Sequence, residues 1–266
     1  MQGIVTTTDR SLVRIHTYTA PESGWVVNSH IVELPTQLLL VDAQYTLSNA
    51  RAVAAHAAAL GKPLTRVYIT HCHPDHFLGA EVFNAPRFAP EAVKAAIETV
   101  GDQVAEKEHS RLGNAVARRV TRLDHAVEAG IETIDGVIFE FRLLRNAESE
   151  DALTVALPEE DVIITQDLLS NRVHLFLGEQ RFDGWAAALE EYEKLPYRSV
   201  LGGHGLPAGK ELYNETLSYL AVAESVLARC GDGEDLKVQL VRRFPDYDGI
   251  VLLDRQKRFL FDDSRA

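Results

Sequence analysis

Three imidazoles and a carboxylate stand within six residues at His71-Cys72-His73-Pro74-Asp75-His76. His71 and His73 are separated by one residue, so in an extended turn both side chains can face one way and hold one divalent cation. Pro74 bends the chain before Asp75 and His76. The bend keeps these two from the same ion. It lets them serve a second ion about 3.5–4 Å away, the spacing of two-metal hydrolytic centres. Asp75 has a further use: it can take a proton from a metal-bound water or hand one to a leaving group.

Ligands of this kind need rigid support on both sides. The apolar run at residues 65–70 reads as a strand entering the histidine turn, and residues 77–83 read as the start of a helix leaving it. Further strands are expected at residues 11–18, 25–33, 37–41, 86–89, 152–157, 162–165 and 198–201, with two more around the turn Asp135-Gly136 within 131–144. Helices are expected at 47–60, closed by Gly61 and Pro63, and at 90–123 with a break near Val100-Gly101. Others are expected at 185–195, with Asp183 as N-cap, and at 210–228 and 235–243. Four strand-like runs end in a residue able to serve a metal: Asp42, His71, Asp167 and His204. In layered α/β folds the ends of strands converge on one site, so residues far apart in the chain can meet there. Asp167 follows the apolar run 162–165, where an acid is costly to bury unless a cation pairs with it. His204 stands between Gly203 and Gly205, where backbone can approach closely.

The histidine turn resembles the HxHxDH signature of the metallo-β-lactamase-fold superfamily. The resemblance runs over about residues 11–207. It implies an α/β fold, an αββα sandwich of two mixed sheets flanked by helices, with the site at one edge of the sheets. It also implies a ligand set of His71, His73, Asp75, His76, Asp167 and His204, with Asp167 bridging two metals. The family usually places a histidine on the loop between these groups, but this chain has none between His125 and His174. Glu148 is the candidate replacement, as in sulfatase-like members, and Glu150 is the second choice. A carboxylate binds zinc at a similar distance and adds a negative charge. Asp151 is a candidate for holding a ligand in place, and Asp42 for orienting the histidine turn. His174, Asn171 and Tyr197 are candidates for facing substrate. Cys72 reads as a buried thiol, and His16, His30, His56, His109 and His125 receive no role.

The chain has 266 residues, with 27 Lys+Arg against 39 Asp+Glu and a net charge of −12. Without a basic run it repels phosphate backbones, so a small molecule is the expected partner rather than nucleic acid. Two cysteines make no disulfide framework. No basic-then-apolar leader and no apolar stretch near ~20 residues is visible, so the reading is soluble, cytoplasmic and free of the membrane. No linker or repeat divides the chain. One domain over 1–266 is expected, with a core at about 11–207 and a helical extension at about 210–266.

The expected activity is metal-dependent hydrolysis. Two ions would share a hydroxide that attacks a carbonyl, phosphorus or sulfur centre. Zinc suits the histidines, and the extra carboxylate gives iron or manganese weight. Fold does not choose a substrate. By elimination a small ester, lactone or thioester is preferred. An iron-dependent redox enzyme of the same fold is the alternative, and a non-catalytic metal-binding module is the third reading.

Overall fold

The computed structural model describes residues 3–261. Seven strands form one sheet in chain order: β1 (Ile4–Asp9), β2 (Arg14–Thr19), β3 (Asn28–Glu33), β4 (Leu38–Val41), β5 (Leu64–Tyr68), β6 (Arg87–Pro90) and β7 (His125–Val127). The first four run antiparallel; from β4 onward neighbours are parallel. The second sheet holds β8 (Gly130–Ile134), β9 (Val137–Arg145), β10 (Asp151–Leu157), β11 (Val162–Ser170), β12 (Ser199–His204) and β13 (Ala208–Gly209). Its spatial order is β13-β12-β11-β10-β9-β8, and only β11 and β12 pair in parallel. The helices are α1 (Leu47–Ala59), α2 (Pro74–Phe77), α3 (Glu91–Leu112), α4 (Phe182–Glu193), α5 (Glu211–Leu227), α6 (Gly233–Arg243) and α7 (Ile250–Leu260).

The layering follows from the period-two alternation of strand side chains. On β4, Leu38 and Leu40 pack towards Val53 of α1 and Ile97 of α3, whereas Leu39 and Val41 meet Phe139, Phe141 and Val155 of the second sheet. On β11, Ile164 faces inward, and Ile163 joins Leu189 of α4 and Leu220 of α5 outside. Strands apolar on both faces read as continuous hydrophobic runs because both faces are covered. Each fully buried Leu, Ile or Val contributes roughly 1.5–3 kcal/mol. The result is the expected order of helices, sheet, sheet, helices.

Four details depart from the sequence reading. Strand β1 is Thr-rich, mostly exposed and at a sheet edge, so it carries little apolar signal. Helix α3 passes through Gly101 without a break: a Cβ there would stand 2.6 Å from Val120, so the glycine answers a packing need. The helix ends at Leu112, well short of 123, and Gly113 follows in the left-handed region. Asp183 lies inside the first turn of α4, which starts one residue earlier with no side-chain cap. Its charge still favours the helix N-terminus.

The C-terminal helices pack on the sandwich. Leu252 of α7 belongs to the apolar cluster of the first sheet and Leu253 to that of the second, so α7 closes one end of both. Residues 262–266 of the expected extension lie outside the described residues. Among the described residues no helix is long and apolar enough to cross a membrane.

Candidate metal centre

The predicted ligands come from strand ends, from the turn and short helix that follow β5, and from one hairpin loop. His71 and His73 follow β5. His73 is extended, and Pro74 occupies the first helical position of α2, where its fixed φ costs nothing. The chain therefore turns between His73 and Asp75, and the two pairs of donors face different points. Asp167 lies within β11 rather than after it. A register irregularity around Gln166, whose φ is 47°, tips the carboxylate out of the ladder and towards the histidines. His204 ends β12. Gly203 is required there, because a Cβ would stand 1.8 Å from Asp167 Oδ1.

Glu148 comes from a hairpin loop. It occupies the tip of the tight loop joining β9 and β10, closed by Asn146 N–H to the Glu150 carbonyl at 2.8 Å and by Ala147 N–H to the Ser149 carbonyl at 3.1 Å.

The structure gathers these donors into two groups that share Asp167: His71, His73, Glu148 and Asp167, and then Asp75, His76, Asp167 and His204. In the first, His71 Nε2 is 3.1 Å from His73 Nδ1, 3.6 Å from Asp167 Oδ2 and 3.9 Å from Glu148 Oε2, and His73 Nδ1 is 3.4 Å from Glu148 Oε1. In the second, Asp167 lies 3.2 Å from His76 Nε2 and 3.1 Å from His204 Nε2, and Asp75 Oδ2 lies 3.5 Å from each. Donors bonded at about 2.0–2.1 Å around a tetrahedral cation stand about 3.3 Å apart, so both groups have near-ligand spacing.

The hydrogen bonds behind the cluster set the tautomers. His76 Nδ1–H donates to Asp42 Oδ2 at 2.7 Å, and His204 Nδ1–H donates to the Trp25 carbonyl at 2.9 Å. The Thr70 hydroxyl donates to Asp42 at 2.7 Å and accepts from His71 Nδ1–H at 3.0 Å. In all three rings Nε2 is left pointing inward with its lone pair, the arrangement of metal-binding imidazoles. Asp42 also lies near His71 and His76, but its oxygens already accept from Thr70 N–H, Thr70 hydroxyl, His76 and Gln166. Three of these bonds fall on Oδ2, the oxygen nearest the histidines, so Asp42 serves to hold the turn.

The remaining buried polar atoms point the same way. Both Glu148 oxygens, Asp167 Oδ1 and His76 Nε2 are buried with no hydrogen-bond partner. Orphaned carboxylate oxygens are costly without a cation. The carboxyls and imidazoles of the cluster shift one another strongly. Burial pushes Glu148 up to about 8. Burial works against the His73 cation, yet Glu148 and Glu179 hold it up at about 9. Burial also opposes ionisation of Asp75, but His76 and His204 pull it down to about 2. The donor set fits a pair of divalent ions: hard carboxylates, imidazole nitrogens and an oxygen-bearing residue shared between the groups.

Several candidates fall elsewhere. Glu150 is exposed and bonded to Arg181, so it does not reach the cluster. Asp151 faces Arg145 at 3.4 Å. His174 is enclosed and bonded to the Tyr219 hydroxyl at 2.8 Å, Asn171 donates to the Leu206 carbonyl, and Tyr197 donates to Glu140. None of the three lines the cleft beside the cluster. Cys72 is half-buried on the wall of the cleft beside the cluster, and burial pushes its thiol up to about 11. His30, given no role by pattern, lies beneath the site, where Nε2–H donates to Gln166 Oε1 at 3.1 Å and so links to Asp42.

Sequence reasoning missed Glu179 and Arg181, on the loop before α4. Glu179 faces the outer nitrogen of His73 across 3.6 Å. Arg181 bonds Glu179, Asn146 and Glu150, and so ties the His73 side to the loop carrying Glu148. No local motif marks them.

A family model described as the metallo-beta-lactamase superfamily matches residues 23–204, which include the donors from both ends of the site. No curated protein matches the sequence. Among solved structures, a metallo-beta-lactamase from Pontibacter korlensis is 21% identical with a TM-score of 0.63, over 83% of this chain and 99% of that one. A metallo-beta-lactamase from Pseudomonas aeruginosa, in a mono-zinc form, is 18% identical with a TM-score of 0.60, over 82% and 96%. A stereoselective inverting sec-alkylsulfatase from Pseudomonas sp. is 19% identical with a TM-score of 0.59, over 93% of this chain and 49% of that one. Sequence model, layer order and strand-end histidine turn agree, and the chain belongs to the metallo-beta-lactamase superfamily.

Proposed function

We propose that this protein is a dinuclear metal-dependent hydrolase acting on a small ester, lactone or thioester. The observation that carries the reading is the sharing of Asp167 between two buried donor groups. Two divalent ions, zinc by preference and iron or manganese as alternatives, would supply a water ionised near neutral pH and positive charge beside the substrate oxygen. His71, His73 and Glu148 would hold one ion, Asp75, His76 and His204 the other, and Asp167 both. Asp42 and the Trp25 carbonyl accept from Nδ1–H of His76 and His204, and so aim Nε2 of each ring towards the ion and raise its basicity. Asp75 lines the cleft, and in this reading it would also relay a proton to the leaving group. We place the reaction in the cytoplasm and on small molecules; the net charge of −12 opposes a nucleic-acid partner.

A second substrate class is favoured by Glu148 standing where a histidine is usual, together with the 93% coverage of this chain by the sec-alkylsulfatase. That class is the alkyl sulfate. The test is a panel of esters, lactones, thioesters, phosphodiesters and alkyl sulfates with metal-loaded protein. Metal-dependent turnover of a carboxylic ester, lactone or thioester supports the first reading, and turnover of sulfates alone moves the assignment to the second. A coloured iron protein inactive on the whole panel would overturn both in favour of redox chemistry.

A further inference from the structure

The cleft beside the metal cluster encloses about 270 Å³, close to the lower end of ligand pockets at about 300 Å³. Its lining is of two kinds. Asp75, Asp167 and His204 belong to the donor cluster, whereas Val100 and Val104 of α3, Leu252 and Phe259 of α7, Trp25 and Phe176 are apolar. Phe176 links the two: its ring stands edge-on to His73 at 5.4 Å and to Phe259 at 5.4 Å.

Arg255 of α7 also borders the cleft, but its charge is answered. Its guanidinium lies 4.4 Å over the Trp25 ring and donates to Glu108 Oε1 at 2.8 Å. Glu108, on α3, also accepts from Tyr45 and Arg111. The pair therefore ties α7 to α3 across the rim. Glu179 places a carboxylate on the same wall, which disfavours an anionic tail. The matched family region ends at 204, so α7 is a wall added outside it.

We infer that the apolar lining of the cleft takes the apolar body of an ester, an uncharged alkyl or aryl chain whose scissile head lies at the donor cluster, and that α3 and α7 together set the chain length accepted. This deepens the hydrolase reading and rests on it. The head can be a carboxylic or a sulfate ester; the chain is the shared feature.

The test has two arms. In the first, p-nitrophenyl esters from acetate to hexanoate, and alkyl sulfates of matching length, are assayed with wild type, Val100→Trp and Phe259→Ala. Val100 is 40% exposed, so the tryptophan narrows the cleft without entering the core. Wild-type kcat/KM should climb by about fourfold per methylene buried. Val100→Trp should cut the hexanoate-to-acetate ratio by at least about tenfold, the loss of roughly two buried methylenes. Phe259→Ala should move the optimum to a longer chain. In the second arm, calorimetry measures binding of acetate through octanoate to zinc-loaded protein, independently of turnover. Affinity should rise with chain length in wild type and flatten in Val100→Trp. If no ester is hydrolysed but this binding slope appears, the hydrolase reading fails while the cleft assignment stands. A flat series in both arms, or an identical slope in Val100→Trp, overturns the cleft assignment.

Discussion

Asp167 reaches His76 Nε2 with Oδ1 at 3.2 Å and His204 Nε2 with Oδ2 at 3.1 Å, while Oδ2 also stands 3.6 Å from His71 Nε2. One carboxylate thus touches three imidazoles brought from both sheets. His71 and His76 hold Asp167 well below the usual carboxylate range together with His204, against the opposing effect of burial. A group so placed cannot be replaced by a neutral side chain without freeing all three rings.

Asp167→Ala should therefore lower bound metal below two ions per chain and reduce hydrolysis by more than about 100-fold, the upper end seen for residues that only support ligands. Metal analysis and assay of the same preparation check this. A variant that keeps both ions removes Asp167 from the bridge.

Glu148→Gln keeps the shape of the loop tip and removes its charge. Both oxygens of Glu148 lack partners, so little hydrogen bonding is lost and the metal effect is isolated. One ion should weaken clearly more than the other in competition with a chelator. Equal affinity for both ions in wild type and variant would return this residue to a buried acid without a ligand role.

The Arg181 guanidinium connects Glu179, Asn146 and Glu150. Arg181→Ala should loosen the Glu148 loop without touching the second donor group. Affinity for one ion should fall by about 10–100-fold, the range for supporting residues. Faster amide exchange at residues 146–150 should accompany it. Unchanged exchange together with unchanged metal affinity would contradict this positioning role.

Glu108 gives a pH prediction away from the metal centre. Burial alone would raise its carboxyl, but Arg255, Tyr45 and Arg111 hold it below the usual range. The unfolded chain then takes up the proton first as pH falls. The stabilisation is present above an unfolded value of about 4.3 and is lost as pH drops through the folded value. Glu108→Gln should cost about 2–3 kcal/mol at neutral pH, below the cost of breaking a fully buried pair because Arg111 is half exposed. The gap in Tm between variant and wild type should shrink below about pH 4.3. A gap independent of pH would show that the charge of Glu108 is not what stabilises α7.

What could be read from the chain alone divides along physical lines. His71, His73, Asp75 and His76 carry a local signal, because turn geometry within six residues is set by those residues and Pro74. Asp167 and His204 were legible as strand-end residues with their supporting glycine and apolar run. Glu148 needed the family resemblance, since an acidic loop looks the same solvated or buried. Glu179, Arg181 and Phe176 left no trace, because they reach the site from an irregular loop whose path is decided by tertiary packing. Gly101 misled for the same reason: its meaning lies in Val120, nineteen positions away. Helix α7 is short, and what buries its apolar face is two distant cores rather than its own neighbours.

The most direct test of the account is the metal content of the natively purified protein, measured by inductively coupled plasma mass spectrometry after removal of loosely held ions. Two transition-metal ions per chain are expected, falling in Asp167→Ala. A well-folded wild type that carries none, and takes up none when zinc, iron or manganese is supplied, would contradict it.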